Sequence, residues 1–404
     1  MRPRVVIAGA GVICSLGAGM QEFERALYSG ASGIAPSTLL GGDSVAAEVR
    51  DFNPQPWLGN KGIRALDRSA RLLCVAAHMA LGDLDLIPPE GLESDPNLGL
   101  ICATMFGGLH SIVSFDWSGL VDGPTYVNPM EFPNTVINSP AGQAAIKHRL
   151  GGVNSTVCAG LASGLYAMHY AEQFLRFGRA QILLAGGVEE LCEESYLGSL
   201  KTGMASPTGT PRPFAADRDG TILGEGSALW VMATEETARE RGLRPWLEIN
   251  GFGSGHDAAN ITHYQVKAEG ATAAIRQALE SAEIGPEQVS AIIAGASGNR
   301  AGDAMEQQAL RNVFKERLEK IPVCAPKAAI GETLGASGAF AALIAGLALT
   351  RQSVPPTAGF ADATRAASGL RLSAEPQPFQ GEFALVNAFS CDGNNAALVL
   401  GVTD

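Results

Sequence analysis

Apolar residues along this chain fall into two rhythms. Continuous runs of small and β-branched residues at 5–8, 99–108, 156–159, 291–294, 323–325, 384–387 and 396–401, with another ending at Gly186-Gly187, predict strands buried on both faces. Between them, apolar residues return at helical spacing over 21–28, over 67–84, at Leu165, Met168 and Leu175, and from Ala336 onward. That spacing predicts helices with one buried stripe. Gly178 supplies a helix stop, because a cap in the left-handed region costs little only for such a residue.

Strands alternating with helices predict an α/β chain, and the alternation runs twice. A first half over 1–245 and a second over 246–404, opening at LEINGFG, show the same succession. Within them GVNSTVCAGLASG and VCAPKAAIGETLGASGAF look like equivalent strand-to-helix turns of a duplicated unit. Residues 51–54 and the Pro/Asn-rich stretch 127–145 read as loops, the second leading into a helix.

Composition narrows the classes. The 404 residues are 46% hydrophobic, rich in alanine and glycine and poor in aromatics, which fits a soluble α/β chain with closely packed elements. No apolar run spans a bilayer and MRPRVVIAGAGV leads straight into a strand, so a cytoplasmic chain with no membrane partner is expected. A formal net charge of −12 argues against nucleic acid. Seven scattered cysteines without metal-ligand spacing predict reduced, mostly buried thiols and no metal. GAGVICSLG has the wording of a dinucleotide turn, but no acidic residue closes the following strand, so no such cofactor is expected.

The chemistry concentrates at 154–189, where a buried strand turns sharply into a helix. Free N–H groups at such a turn favour an anion, lower the pKa of a cysteine placed there and can hold an oxyanion. The wording NSTVCAGLASG, with the helix closing on Gly178 and Gly186-Gly187, resembles the elbow of the β-ketoacyl-carrier-protein synthases of the thiolase superfamily. So do Arg212-Pro213-Phe214 and Asp217-Arg218-Asp219-Gly220 ahead of LGEGSALWVM, whose other reading is a loop pinned by ion pairs and turns. The resemblance runs from Val5 to Leu400 and implies a thiolase fold, five αβαβα layers built from two pseudo-twofold-related halves.

Members of that family condense with one cysteine and two histidines. Counting in both directions places the nucleophilic cysteine at Leu161, which cannot attack a thioester. The first histidine's frame survives at Gly302-Asp303 and Glu306, with Gly295 in the histidine's place. The second survives at Lys327, Gly331, Gly335, Ala336 and Gly338, with Glu332 in the histidine's place, where its charge has the wrong sign for a developing enolate. All six histidines lie outside both frames. In the C-terminal loop, 387–395, Cys391 replaces the family's gating phenylalanine, and Ser390 and Asp392 replace hinge glycines, so the loop is expected not to open.

Frames kept while reactive groups are lost resemble the chain-length factors, the ketosynthase β subunits of type II polyketide synthases. That resemblance implies a heterodimer with a catalytic ketosynthase, no cofactor of its own, and an acyl chain arriving on the phosphopantetheine of an acyl carrier protein recruited through the partner. GETLGASG is similar to members serving polyene-forming systems. Expected to set chain length in the tunnel are Met105, Phe106, Leu109, Ile112 and Phe115, with Pro133 and Thr135; the other reading of these residues is ordinary core packing. Two alternatives stay open. Cys158 could serve acyl transfer or hydrolysis, although strand alternation reads it as a buried small hydrophobe, and the chain could be a non-enzymatic acyl-binding homodimer.

Overall fold

The computed structural model describes residues 3–89, 91, 93–258, 263–360 and 369–403. The first half contributes strands β1 (Val5–Cys14), β2 (Leu98–Ala103), β3 (Asn154–Val157), β4 (Ile182–Glu189) and β5 (Gly226–Thr234). The second contributes β6 (Leu247–His256), β7 (Val289–Ile293), β8 (Val323–Cys324), β9 (Phe383–Phe389) and β10 (Asn394–Val402). The hydrogen-bonded orders are β3-β2-β4-β5-β1 and β8-β7-β9-β10-β6, the same permutation in each half. Parallel and antiparallel neighbours also correspond: β2 is parallel to β3 and β4, as β7 is to β8 and β9. The two sheets touch through a short antiparallel pairing of β1 with β6.

Helices fill three layers around these sheets. On the first half's outer face lie α1 (Arg68–Gly82), whose N-cap Asp67 accepts from Ala70 N, and α3 (Ser139–His148), with α2 (Leu109–Val121) beyond them. Between the sheets run α4 (Ser163–Arg176) and α7 (Ser337–Arg351), and α5 (Glu269–Ser281) and α6 (Arg300–Phe314) cover the second half. Three apolar clusters lie between successive layers, the central one joining Leu165 and Met168 of α4 to Phe340 and Leu343 of α7. This is the expected five-layered αβαβα thiolase fold. The helical stretch Leu334–Arg351 is apolar and long enough to cross a membrane, yet 89% of it is buried inside the protein, where it is the central layer.

Two local expectations are corrected. The glycines after residue 8 do not form a turn, since β1 continues unbroken to Cys14. Their role is close approach: a Cβ at Gly11 would lie 2.0 Å from the Ala76 carbonyl of α1. Cys158 is exposed rather than buried, because β3 ends its sheet and leaves one side uncovered. Five other thiols are buried and Cys391 is half-buried.

Candidate functional site: a closed remnant

The elbow forms as the sequence predicts. After β3 the chain turns at Gly160, whose φ of 57° belongs to the left-handed region, and α4 starts at Ser163. Ser163 Oγ braces the turn by donating to the Gly160 carbonyl (2.6 Å) and accepting from Ala159 N (2.8 Å). Leu161 stands at the top and is buried. Its side chain joins a separate aliphatic cluster with Leu40, Leu191, Leu223 and Leu334, against which Met105, Phe106 and Tyr196 pack. Burying a leucine in this way contributes on the order of 2 kcal/mol to folding and offers no nucleophile.

The N–H that an oxyanion would use is also occupied. Leu161 N donates to Ser390 Oγ at 3.1 Å, so the residue that replaces a hinge glycine caps the elbow. A Cβ on Gly160 would meet Ser390 Oγ at 2.4 Å and Asp392 at 2.5 Å, which shows how tightly the C-terminal loop is seated. That loop is closed on itself: Asn394 N and Nδ2 donate to Asp392, Ser390 N to the Asn394 carbonyl, and Asn395 Nδ2 to Asp257.

Glu332 is held by an internal partner. Its Oε2 accepts from Lys327 Nζ at 2.6 Å, its Oε1 accepts from Leu334 N at 3.1 Å and from Ser337 Oγ, and both charged residues are buried. A buried charge survives only when so compensated. The rest of the frame is structural. Glu306 accepts from Gly295 N (3.0 Å) and Asn387 Nδ2 (2.9 Å), and burial pushes its carboxyl up to about 7. Asp303 accepts from Phe214 N, Ser297 N and Gly298 N, lies 3.6 Å from Arg218, and is pushed up to about 6 by burial. The Arg212–Asp217 ion pair and the Asp219–Ser206 bond pin the neighbouring loop, the bland reading of that motif.

At Gly295 a cavity of about 10 Å³ remains, lined by Lys327, Thr333, Ser337 and Asn387. It has room for about one water. Asn387 Oδ1 is buried there with no partner among the described residues. Gly295 borders this cavity, while Leu161 is packed in its own aliphatic cluster and Glu332 is paired with Lys327.

The tunnel candidates divide into two groups. Met105 and Phe106 pack on the Leu161 cluster, whereas Leu109, Ile112 and Phe115 lie on α2, which has no buried residue. Pro133 is exposed and Thr135 half-buried beside it, with Phe132 packing on Phe115 at 5.9 Å between ring centres. Met105 and Phe106 thus pack against a buried cluster, whereas the other five lie outside the core.

The surroundings of the Cys158 thiol push it up rather than down. Burial raises its pKa and the Glu189 and Asp392 carboxylates add to the rise, against a backbone N–H at Gly160 that lowers it. Among the six histidines, His148 bonds the Cys74 carbonyl, His169 pairs with Glu172 and His110 with Glu194. Sequence reasoning missed Tyr264, whose half-buried ring lies against Gly302 of α6 and whose phenol is pushed well up by burial. It also missed Glu189 and Glu190, whose only sequence signal is two adjacent acids closing an apolar strand.

Comparison with known proteins places these residues in context. Residues 2–238 match the beta-ketoacyl synthase N-terminal domain and residues 247–361 the C-terminal domain. The 3-oxoacyl-[acyl-carrier-protein] synthase 2 of Coxiella burnetii is 31% identical over 407 residues, with 98% of each chain covered. The synthase of the same name from Rhizobium meliloti is 30% identical over 415 residues, again covering 98% of each. Among solved structures, the ishigamide ketosynthase/chain length factor superposes with a TM-score of 0.92 at 29% identity over the whole of both chains. A ketosynthase (ApeO) in complex with its chain length factor (ApeC) from Xenorhabdus doucetiae gives 0.84 at 24% identity, covering 99% and 98%, a likeness of fold.

Proposed function

The chain belongs to the β-ketoacyl synthase family, and from that premise we propose that it is a chain-length factor, a subunit without condensing activity that pairs with a catalytic ketosynthase. One observation carries the reading: each position that would hold a reactive group is filled or internally satisfied. Leu161 is packed and its N–H capped by Ser390, Glu332 is neutralised by Lys327, and Gly295 leaves space for about one water. Leu161 offers no nucleophile, and its N–H is already taken by Ser390.

The role then lies at the surface that α2 presents. An apolar helix with no buried residue calls for a covering partner. A ketosynthase seated there would enclose a chain between the two subunits, against Leu109, Ile112 and Phe115, with Met105 and Phe106 at its inner end. The lining also bears on the substrate. A poly-β-ketone carries a carbonyl at alternate carbons, and each one buried without a donor costs about 1–3 kcal/mol, whereas a conjugated polyene loses nothing. We therefore favour a polyene product, assembled in the cytoplasm on the phosphopantetheine of a carrier protein that the ketosynthase recruits, with no cofactor held by this chain.

Native mass spectrometry of the chain co-expressed with a ketosynthase that retains its cysteine and both histidines tests this. A one-to-one complex is expected, and a homodimer indifferent to the ketosynthase would contradict it. The alternative centred on Cys158 gains exposure from the structure but not reactivity. Thiol labelling at neutral pH should proceed no faster than for a free cysteine, and a low-pKa labelling profile would revive that alternative.

A further inference from the structure

Two buried carboxylates at the end of β4 take no part in the remnant site, and both reach toward the tunnel candidates. Glu189 Oε2 accepts from Met105 N (2.7 Å) and Gly335 N (2.9 Å), and its Oε1 accepts from Phe106 N (3.0 Å) and Thr104 Oγ1 (3.1 Å). Thr104 Oγ1 in turn accepts from Gly107 N at 2.9 Å. One carboxylate thus gathers the turn after β2 and the turn before α7, which belong to different halves of the chain. The next residue, Glu190, accepts from His110 N (3.1 Å) and Ser69 N (3.2 Å), tying the first turn of α2 to the first turn of α1.

Burial pushes Glu189 up to about 7 and Glu190 to about 8, the second helped by Asp67. What the carboxylates fix is position: Glu189 sets where Met105 and Phe106 stand relative to Leu161 and Leu334, and Glu190 sets where α2 begins.

We propose that Glu189 is a positioning residue for chain length, holding the Met105–Phe106 lip at the inner end of the tunnel, with Glu190 fixing the helix that forms its wall. The proposal rests on the chain-length-factor reading and adds to it residues that touch no substrate. A lip tied at both adjacent amides by one rigid acceptor gives one stopping distance, and a loosened lip gives several.

The test compares wild type, Glu189→Gln and Glu189→Asp in the complex with a ketosynthase. Glu248→Gln serves as control, a buried carboxylate paired instead with Arg4. Glu189→Gln presents one acceptor oxygen where two stood, so amide exchange at 104–107 and 334–336 should quicken by about tenfold or more. Products away from the main length should rise about threefold or more as a share of the total, with Glu189→Asp shifted in the same direction by less and the control unmoved. Faster exchange with an unchanged length distribution in an active complex would overturn the proposal and leave the chain-length-factor reading standing. A wild-type chain that fails to pair would overturn both. Should Glu189→Gln not fold, Glu189→Asp decides by the same readouts.

Discussion

Two regions of the molecule, the packed elbow and the face of α2, stand in opposite states. At the elbow Leu161 is packed, Ser390 takes its N–H, and Lys327 pairs with Glu332. The face of α2 and the loop after it is left raw, with Trp117 65%, Leu120 79%, Tyr126 79% and Phe132 59% exposed. A chain that had simply lost function would loosen at both. Here the elbow is packed into a small core while the apolar face of α2 stays exposed, the contrast on which the proposed role rests.

The largest expected effect falls on the closed region. Glu332→Ala strands the Lys327 ammonium in the interior and should cost about 3–5 kcal/mol in denaturant unfolding, with Glu332→Gln costing less. On the open region, Trp117→Asp or Leu120→Asp should weaken the complex with a ketosynthase by on the order of 100-fold, read by titration, while the chain's own melting temperature barely moves. That pairing of outcomes is the comparison in its sharpest form: damage inside costs stability, and damage outside costs partnership. Ser390→Ala should cost about 1–2 kcal/mol by orphaning the Leu161 N–H. It should not create activity.

The smallest effect is a pH slope. Glu189, Glu190, Asp303 and Glu306 all hold their protons to higher pH in the folded chain than in an unfolded one, because burial disfavours their charged forms. The folded state therefore binds the extra protons, and this contribution to stability is present near pH 4.5 and fades as pH rises through about 6–8. Denaturant midpoints should fall across that window, and Glu190→Gln should flatten the fall. A rise in stability from pH 5 to 8 would contradict the assignment.

Much of this was legible in the sequence where the signal was local. The elbow at 154–164 and the Gly302-Asp303…Glu306 frame are short words whose spacing fixes a turn, so they could be read and their missing reactive groups counted. The alternation of runs and stripes, with one pair of matching turns, pointed to a duplicated fold that the two sheet orders display. What escaped depends on distant chain. Ser390 was recognised as a lost hinge glycine, but its bond to Leu161 joins residues 229 apart, and no periodicity reports it. The glycines of β1 read as a turn because their reason for being small, the Ala76 carbonyl, lies on another element. Cys158 read as buried because alternation assumes a strand with two neighbours, and β3 has one. Glu189 looked like any acid after a strand until the amides of Met105, Phe106 and Gly335 were brought around it.

The central claim is that this chain carries no condensing chemistry and acts only in company. It is tested most directly by incubating malonyl-carrier protein and an acyl primer with the chain alone, with the ketosynthase alone, and with both. The account predicts no carbon dioxide release and no extension from the chain alone, and extended product only from the pair. It predicts the same silence from a Leu161→Cys, Gly295→His, Glu332→His variant, since Ser390 still caps the elbow and a Cβ at 295 lies 3.0 Å from the Asn387 carbonyl. Decarboxylation or extension by the unaltered chain in isolation would contradict it.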